Sequence, residues 1–226
     1  MNPRNTRRSA GFTLVELLVV IAVLALLVGV LLPALSGARR SAQAVQCLSQ
    51  MRTLGQFTSV YAGENRGHMP RSQHSAFPNR VPPWGYAFYA YITGSEYRQG
   101  AEDWLEVFNN DYRCPLDERS QGWSYGYNVY FELTAAETQG RTWDRISDAP
   151  RPSLTVLFCE IGELTTADHA MAHFWTLFNA PPEVDRERHR PGSAAVFLDG
   201  HAEERPFSQF FDQTDHIDTF NPLTAR

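Results

Sequence analysis

The chain has 226 residues with 43% hydrophobic content, enough for one modest globular domain with an appendage. Its net charge of −5 is spread over a mixed sequence, which removes the electrostatic argument for nucleic acid as a partner. The formal positive charge is all arginine, with no lysine, and this carries no functional information.

The sharpest change in composition comes first. Residues 1–11 are polar and hold Arg4, Arg7 and Arg8, whereas Phe12 to Leu35 is apolar apart from Thr13, Glu16, Gly29 and Pro33. As a helix these roughly 24 residues would extend about 36 Å at about 1.5 Å each, enough to cross a hydrocarbon core of about 30 Å. The leading arginines favour a cytoplasmic N-terminus, a contrast that Arg39 and Arg40 on the far side weaken. A cleaved secretory signal is the rival reading, because Ala34-Leu35-Ser36 and Ser36-Gly37-Ala38 offer small residues at a suitable spacing. The run is too long for such a signal, however, and carries a carboxylate, Glu16, near its start.

Placing an ionised carboxylate in a membrane helix costs a few kcal/mol, so it needs a partner or a task. A cut between Gly11 and Phe12 would make Glu16 the fifth residue and create an α-amino group one helical turn away, in the same chain or a neighbour.

Gly11-Phe12-Thr13-Leu14-Val15-Glu16-Leu17-Leu18-Val19-Val20 closely resembles the cleavage and methylation signature of type IV prepilins and type II secretion pseudopilins. The resemblance implies a prepilin peptidase that cuts after Gly11 and methylates Phe12, with Glu16 neutralising the amine of an adjacent subunit during assembly. Other pilin or pseudopilin subunits, an inner-membrane assembly platform and membrane lipid are the implied partners. Pilins commonly carry a proline at the depth of Pro33, where a kink or local melting near Leu31 and Leu32 is expected; the alternative is that Pro33 marks the membrane exit.

Cys47, Leu48, Met51, Leu54, Phe57 and Tyr61 recur at spacings of three and four, opposite Gln43, Gln46, Gln50, Thr53 and Gln56. This is an amphipathic helix whose apolar stripe should pack on a head, with stop signals from Gly63 to Pro70. The organisation read from the sequence is a leader at 1–11, a transmembrane half-helix at 12–35, an amphipathic half-helix at 36–63 and a globular head at 64–226. The fold class is α+β and pilin-like, a long N-terminal helix packed on a small antiparallel sheet.

Residues 71–100 are aromatic-rich, with Trp84 among them, and read as a loop-rich insertion with one short helix. Aromatic clusters of this kind bind sugars or, more often, fill cores. Glu102 to Phe108 reads as a short helix, Ser124-Tyr125-Gly126-Tyr127-Asn128 as a strand or bulge, and Ser153 to Glu160 as a buried strand ending on an acid. Ala194 to Leu198 and His201 to Pro206 make a hairpin, with Asp199-Gly200 supplying the positive-φ positions of a two-residue turn.

His189 precedes Asp199-Gly200 in an H-x9-D-G pattern. With Cys114-Pro115 and the Ser-Tyr-Gly-Tyr-Asn stretch, this resembles the prepilin-processing-associated H-x9-D-G group, whose head has no chemistry to transfer. His189, Asp199, His201 and Glu160 are adequate ligand types for zinc, yet an Asp-Gly turn and a histidine bonded to a carboxylate serve structure equally well. No metal or cofactor is assigned on this basis. Asp212, Asp215 and Asp218 lack the alternation of a calcium loop, and His169 with His173 lacks the glutamate of a zinc-protease helix.

Cys47, Cys114 and Cys159 allow one disulfide in an oxidising compartment, and Cys47–Cys114 would tie helix to head, although sequence does not give connectivity. No serine or cysteine arrangement indicates a hydrolase. The expected protein is a non-enzymatic filament subunit, single-pass in a bacterial inner membrane with a periplasmic head, and open to extraction into a filament. A membrane-tethered glycan- or protein-binding module and a metal-dependent periplasmic enzyme are the alternatives.

Overall fold

The computed structural model describes residues 14–138, 140–190 and 192–225. The Gly11–Phe12 junction lies outside them. Backbone contacts divide the chain into two units, Met1–Ala42 and Gln43–Arg226, and each is described by itself.

The first helix, α1, spans Leu14–Glu64 and so contributes to both units. Within the first unit every described side chain is exposed, including Leu14, Leu26, Val30 and Leu31. A solvated helix surface of that composition is unfavourable in water, and it is the one described helix long and apolar enough to cross a membrane. The helix runs through Pro33 without a break, so melting at Leu31 and Leu32 does not occur. A single missing N–H is tolerated within a long helix, and the Ser36 hydroxyl donates to the Pro33 carbonyl at 2.8 Å.

The second unit begins with the remainder of α1. Cys47, Met51 and Leu54 are buried, and Leu48, Phe57 and Tyr61 pack against the same core, as the three-and-four spacing requires. Two of the residues expected on the opposite, solvated face instead reach the head. Gln50 accepts a hydrogen bond from the Tyr125 hydroxyl at 2.6 Å and donates to the Asn110 carbonyl; Gln43 donates to the Pro115 carbonyl at 3.4 Å. Both sit within a turn of the apolar stripe, and their long amides meet backbone carbonyls at its edge.

Helices α2 (Trp84–Thr93) and α3 (Trp104–Asp111) lie in the aromatic region. Helix α2 ends at Gly94, whose φ of 74° supplies the left-handed cap. Strand β1 is Tyr125–Asn128, β2 is Val156–Glu160 and β3 is His169–Ala170. After α4 (Ala172–Leu177) come β4 (Ser193–Phe197) and β5 (Ala202–Arg205). They form a five-stranded sheet in the order β3-β1-β2-β4-β5. Its pairs are antiparallel except that β3 joins β1 in parallel, so the expected antiparallel sheet is a mixed one. Strands β6 (Phe211–Asp212) and β7 (Ile217–Asp218) form a separate antiparallel pair.

The sheet is covered on both faces. Tyr125, Tyr127, Phe158, Ala194 and Val196 face a core shared with α1, α2 and α3. Val156, Cys159, Ala195 and Phe197 face a second core with Trp175 of α4 and the C-terminal Phe207, Phe210, Phe211 and Phe220. Leu157 and Phe158 both turn to the first core, and the pairing of β2 with β4 shifts register between Val156 and Phe158. This bulge breaks the strict two-residue alternation of faces along β2. Asn128 ties the layers together: its amide donates to the Val156 and Phe220 carbonyls at 2.7 Å each and accepts from the Tyr130 N–H at 3.1 Å.

The hairpin between β4 and β5 is closed by the Gly200 N–H to the Phe197 carbonyl and the Phe197 N–H to the His201 carbonyl, each at 2.9 Å. Its loop is therefore Leu198 to Gly200, and of Asp199 and Gly200 only the glycine has positive φ, at 91°. This corrects the two-residue turn, and a left-handed glycine closing a three-residue loop explains it.

Gly55 of α1 lies against this turn. A Cβ there would stand 3.0 Å from Val196 Cγ2 and 3.3 Å from the Gly200 Cα. Alanine gains up to about 1 kcal/mol of helix propensity over glycine, which offsets a small clash, but a branched side chain must displace the turn. Gly55→Val should lower the stability of the full chain in detergent by about 2 kcal/mol, read from the midpoint of denaturant unfolding.

Candidate functional site

Two regions carry chemistry, one in each unit. In the first, Glu16 sits in the opening turn of the described helix among exposed aliphatic side chains. In the second, buried charge collects where β2 ends.

Glu160 closes β2 and is fully buried. One carboxylate oxygen accepts the Ala194 N–H at 3.0 Å, and the other lies 2.8 Å from His189 Nε2 and 3.6 Å from the Arg188 guanidinium. The loop before β4 brings His189 and Arg188 to the strand end, and the His189 N–H bonds back to the Gly192 carbonyl at 3.1 Å. Burial opposes charging of His189, but its hydrogen bond to Glu160 and the charges of Glu160 and Glu204 outweigh this and raise its pKa above 6.5.

Arg188 is a hub that sequence reasoning missed. It donates to the Ser124 carbonyl at 3.1 Å and the Ile161 carbonyl at 2.6 Å, so it spans the edges of β1 and β2. Asp185 lies 3.1 Å from it and Asp117 3.5 Å. Asp117 was also missed. Its buried carboxylate accepts from Arg119 Nε at 2.9 Å, from a terminal Arg119 nitrogen at 2.7 Å and from the Ser124 hydroxyl at 2.6 Å. No spacing rule flags either residue; the only signal is a charged side chain beside a strand terminus, which is common on surfaces.

Cys47 and Cys114 form a disulfide across a sequence separation of 67, and Cys159 is a buried free thiol. A bond closing a loop of that size contributes about 4 kcal/mol in the chain-entropy treatment. Cys114 Sγ lies 3.8 Å from His189 Nε2, so disulfide and carboxylate pair are neighbours.

The four candidate ligands read from the sequence do not assemble. His189 and Glu160 come together, whereas Asp199 and His201 pair with each other, at 2.5 Å, on the exposed hairpin turn. The H-x9-D-G residues therefore act at two places: His189 holds the end of β2, and Asp199-Gly200 forms the turn against Gly55. His169 lies in β3 and His173 in α4, so the two do not share a helix. Asp212 and Asp218 accept backbone N–H groups from the residues just after them, the turn role of aspartate. Trp84 is fully buried and donates to the Asp168 carbonyl at 2.9 Å, so it is a core residue and presents no sugar-binding face.

Residues 6–32 match the family model described as the prokaryotic N-terminal methylation motif. The chain thus carries a prepilin-type N-terminal motif running into a long apolar helix, on an α+β head consistent with a type IV pilin-like protein. The matched span leaves the head outside it. Comparison with curated proteins and with solved structures gave no match.

Asp117 provides the pH test of the buried network. Burial opposes its ionisation, yet the Arg119 hydrogen bonds, the Arg188 charge and the Ser124 hydroxyl lower its pKa from 3.8 to about 2. A depressed carboxylate stabilises the fold above its unfolded value and loses that contribution as pH falls through the folded one. The wild-type chain should lose stability between pH 3.8 and about 2, and Asp117→Asn should flatten that part of the profile, as followed by thermal unfolding against pH.

Proposed function

We infer that this protein is a prepilin-like structural subunit, cut by a prepilin peptidase after Gly11, methylated at Phe12 and assembled into a type II secretion or type IV pilus-like filament. The match to the methylation motif over residues 6–32, leading into an apolar helix, carries this reading. On it, residues 12–35 anchor the chain once in the inner membrane, the leader faces the cytoplasm and the head the periplasm. The membrane anchor accounts for lipid contact, and an assembly platform would draw the helix into the filament.

Glu16 has a specific task on this reading. After cleavage, the Phe12 amine of a neighbouring subunit supplies the positive charge that offsets a carboxylate in an apolar setting. On this reading the head contributes scaffold and subunit surface, with no catalytic role: the buried Arg188 and Glu160 are turned inward onto backbone carbonyls, the Ala194 N–H and each other.

Mass spectrometry of the mature chain should find an N-terminus at N-methylated Phe12, and a start near Gly37 or Arg39 would show ordinary signal cleavage instead. Glu16→Ala should insert into membranes normally yet enter filaments on the order of tenfold less than wild type, the equivalent of about 1.4 kcal/mol. Equal recovery of both chains in sheared filament fractions would remove Glu16 from assembly.

A further inference from the structure

Four buried residues from distant parts of the second unit converge beside the sheet. Cys47 of α1, Cys114 after α3, Glu160 at the end of β2 and His189 before β4 each bring one ligand atom to within 4.8 Å of the others. Two thiols, an imidazole and a carboxylate are the ligand types that zinc takes in tetrahedral coordination. Zinc bonds of about 2.0–2.3 Å set ligand-to-ligand edges of roughly 3.3–3.8 Å, so the cluster needs shifts on the order of an ångström. Cys114 Sγ and His189 Nε2 already stand 3.8 Å apart.

The surroundings fit a metal as well. His189 Nδ1 is buried without a hydrogen-bond partner and lies 3.4 Å from a Glu204 carboxylate oxygen. A metal-bound histidine usually directs its second nitrogen at an outer carboxylate in this way. Zinc with two thiolates, one carboxylate and a neutral imidazole would carry one net negative charge. The buried Arg188 guanidinium, 3.6 Å from Glu160 and shared with Asp117 and Asp185, offsets part of it.

We propose that reduction of the Cys47–Cys114 disulfide converts this cluster into a closed zinc site formed by Cys47, Cys114, Glu160 and His189. A dithiol reductant supplies two electrons and two protons to the disulfide, becoming a disulfide itself and leaving two thiols. Zinc then displaces both thiol protons and the Nε2 proton of His189 to solvent and binds that nitrogen, leaving the imidazole proton on Nδ1 facing Glu204. The sulfurs cannot serve as thiolate ligands while bonded to each other, so crosslink and metal site are alternative states of one position. The crosslink joins α1 to the segment after α3, and the metal site would add the end of β2 to that junction. With every ligand supplied by the protein and no position open to substrate, the site is structural.

The full chain in detergent, reduced anaerobically with a phosphine and desalted, is titrated with cobalt(II) as the spectroscopic probe. One equivalent should bind with the absorption of tetrahedral thiolate-bound cobalt, and zinc should bleach it. The untreated disulfide form should give no such absorption. Glu160→Gln and His189→Gln should each weaken binding on the order of tenfold to a hundredfold, while Cys159→Ser leaves it unchanged. Absence of thiolate–cobalt absorption in the reduced unsubstituted chain overturns the proposal, independently of how any variant folds. Unchanged affinity in His189→Gln also overturns it, because the metal would then be held by the cysteines without the cluster.

Discussion

The head is organised around one carboxylate with no access to water. Glu160 ends the second strand of a sheet that is buried on both faces, where an ionised group is tolerated only with partners on every side. His189 and Arg188, from the segment that leads into β4, and the Ala194 N–H of β4 itself are those partners. Satisfying Glu160 therefore sets the approach of β4 to β2. Arg188 extends the constraint to Ser124 and Asp117, which lock the start of β1, and the disulfide beside His189 extends it to α1. Removing one member of such a network leaves the others as buried, unpaired charges, a larger loss than any single pair contributes.

The features legible in the sequence were those set by local rules. An apolar run with one acidic residue, a stripe at spacings of three and four, and a glycine following an aspartate between two apolar–polar segments each reflect a period or a turn requirement. These place α1, the Cys47–Met51–Leu54 contact face and the β4–β5 hairpin. Tertiary context decided the rest. The bulge in β2 arises because Leu157 and Phe158 are both wanted by one core, and the parallel addition of β3 depends on pairing with Tyr127 and Asn128, distant in sequence. Gln43 and Gln50 looked solvated because their amides are polar, whereas their reach to the Pro115 and Asn110 carbonyls is what matters.

The candidate site divided in the same manner. His189 and Glu160 were visible as chemistry-bearing residues, but spacing alone could not separate them from Asp199 and His201, which sit on an exposed turn. Asp117 and Arg188 also hold the site together, and charge by itself gave no reason to select them among many similar residues; Asn128 stood out only as the end of the Ser-Tyr-Gly-Tyr-Asn stretch, with no role attached.

The Cys47–Cys114 bond also determines how the head would bear mechanical load. A pull applied along α1 from its N-terminal end reaches Cys47 and divides there, one branch continuing up the helix and the other crossing the disulfide to the segment that leads into β1. The intervening residues, with all of α2 and α3, form a closed covalent loop that tension cannot lengthen. The branch that crosses the disulfide is thereby delivered close to the central strands without passing through the aromatic helices between the two cysteines.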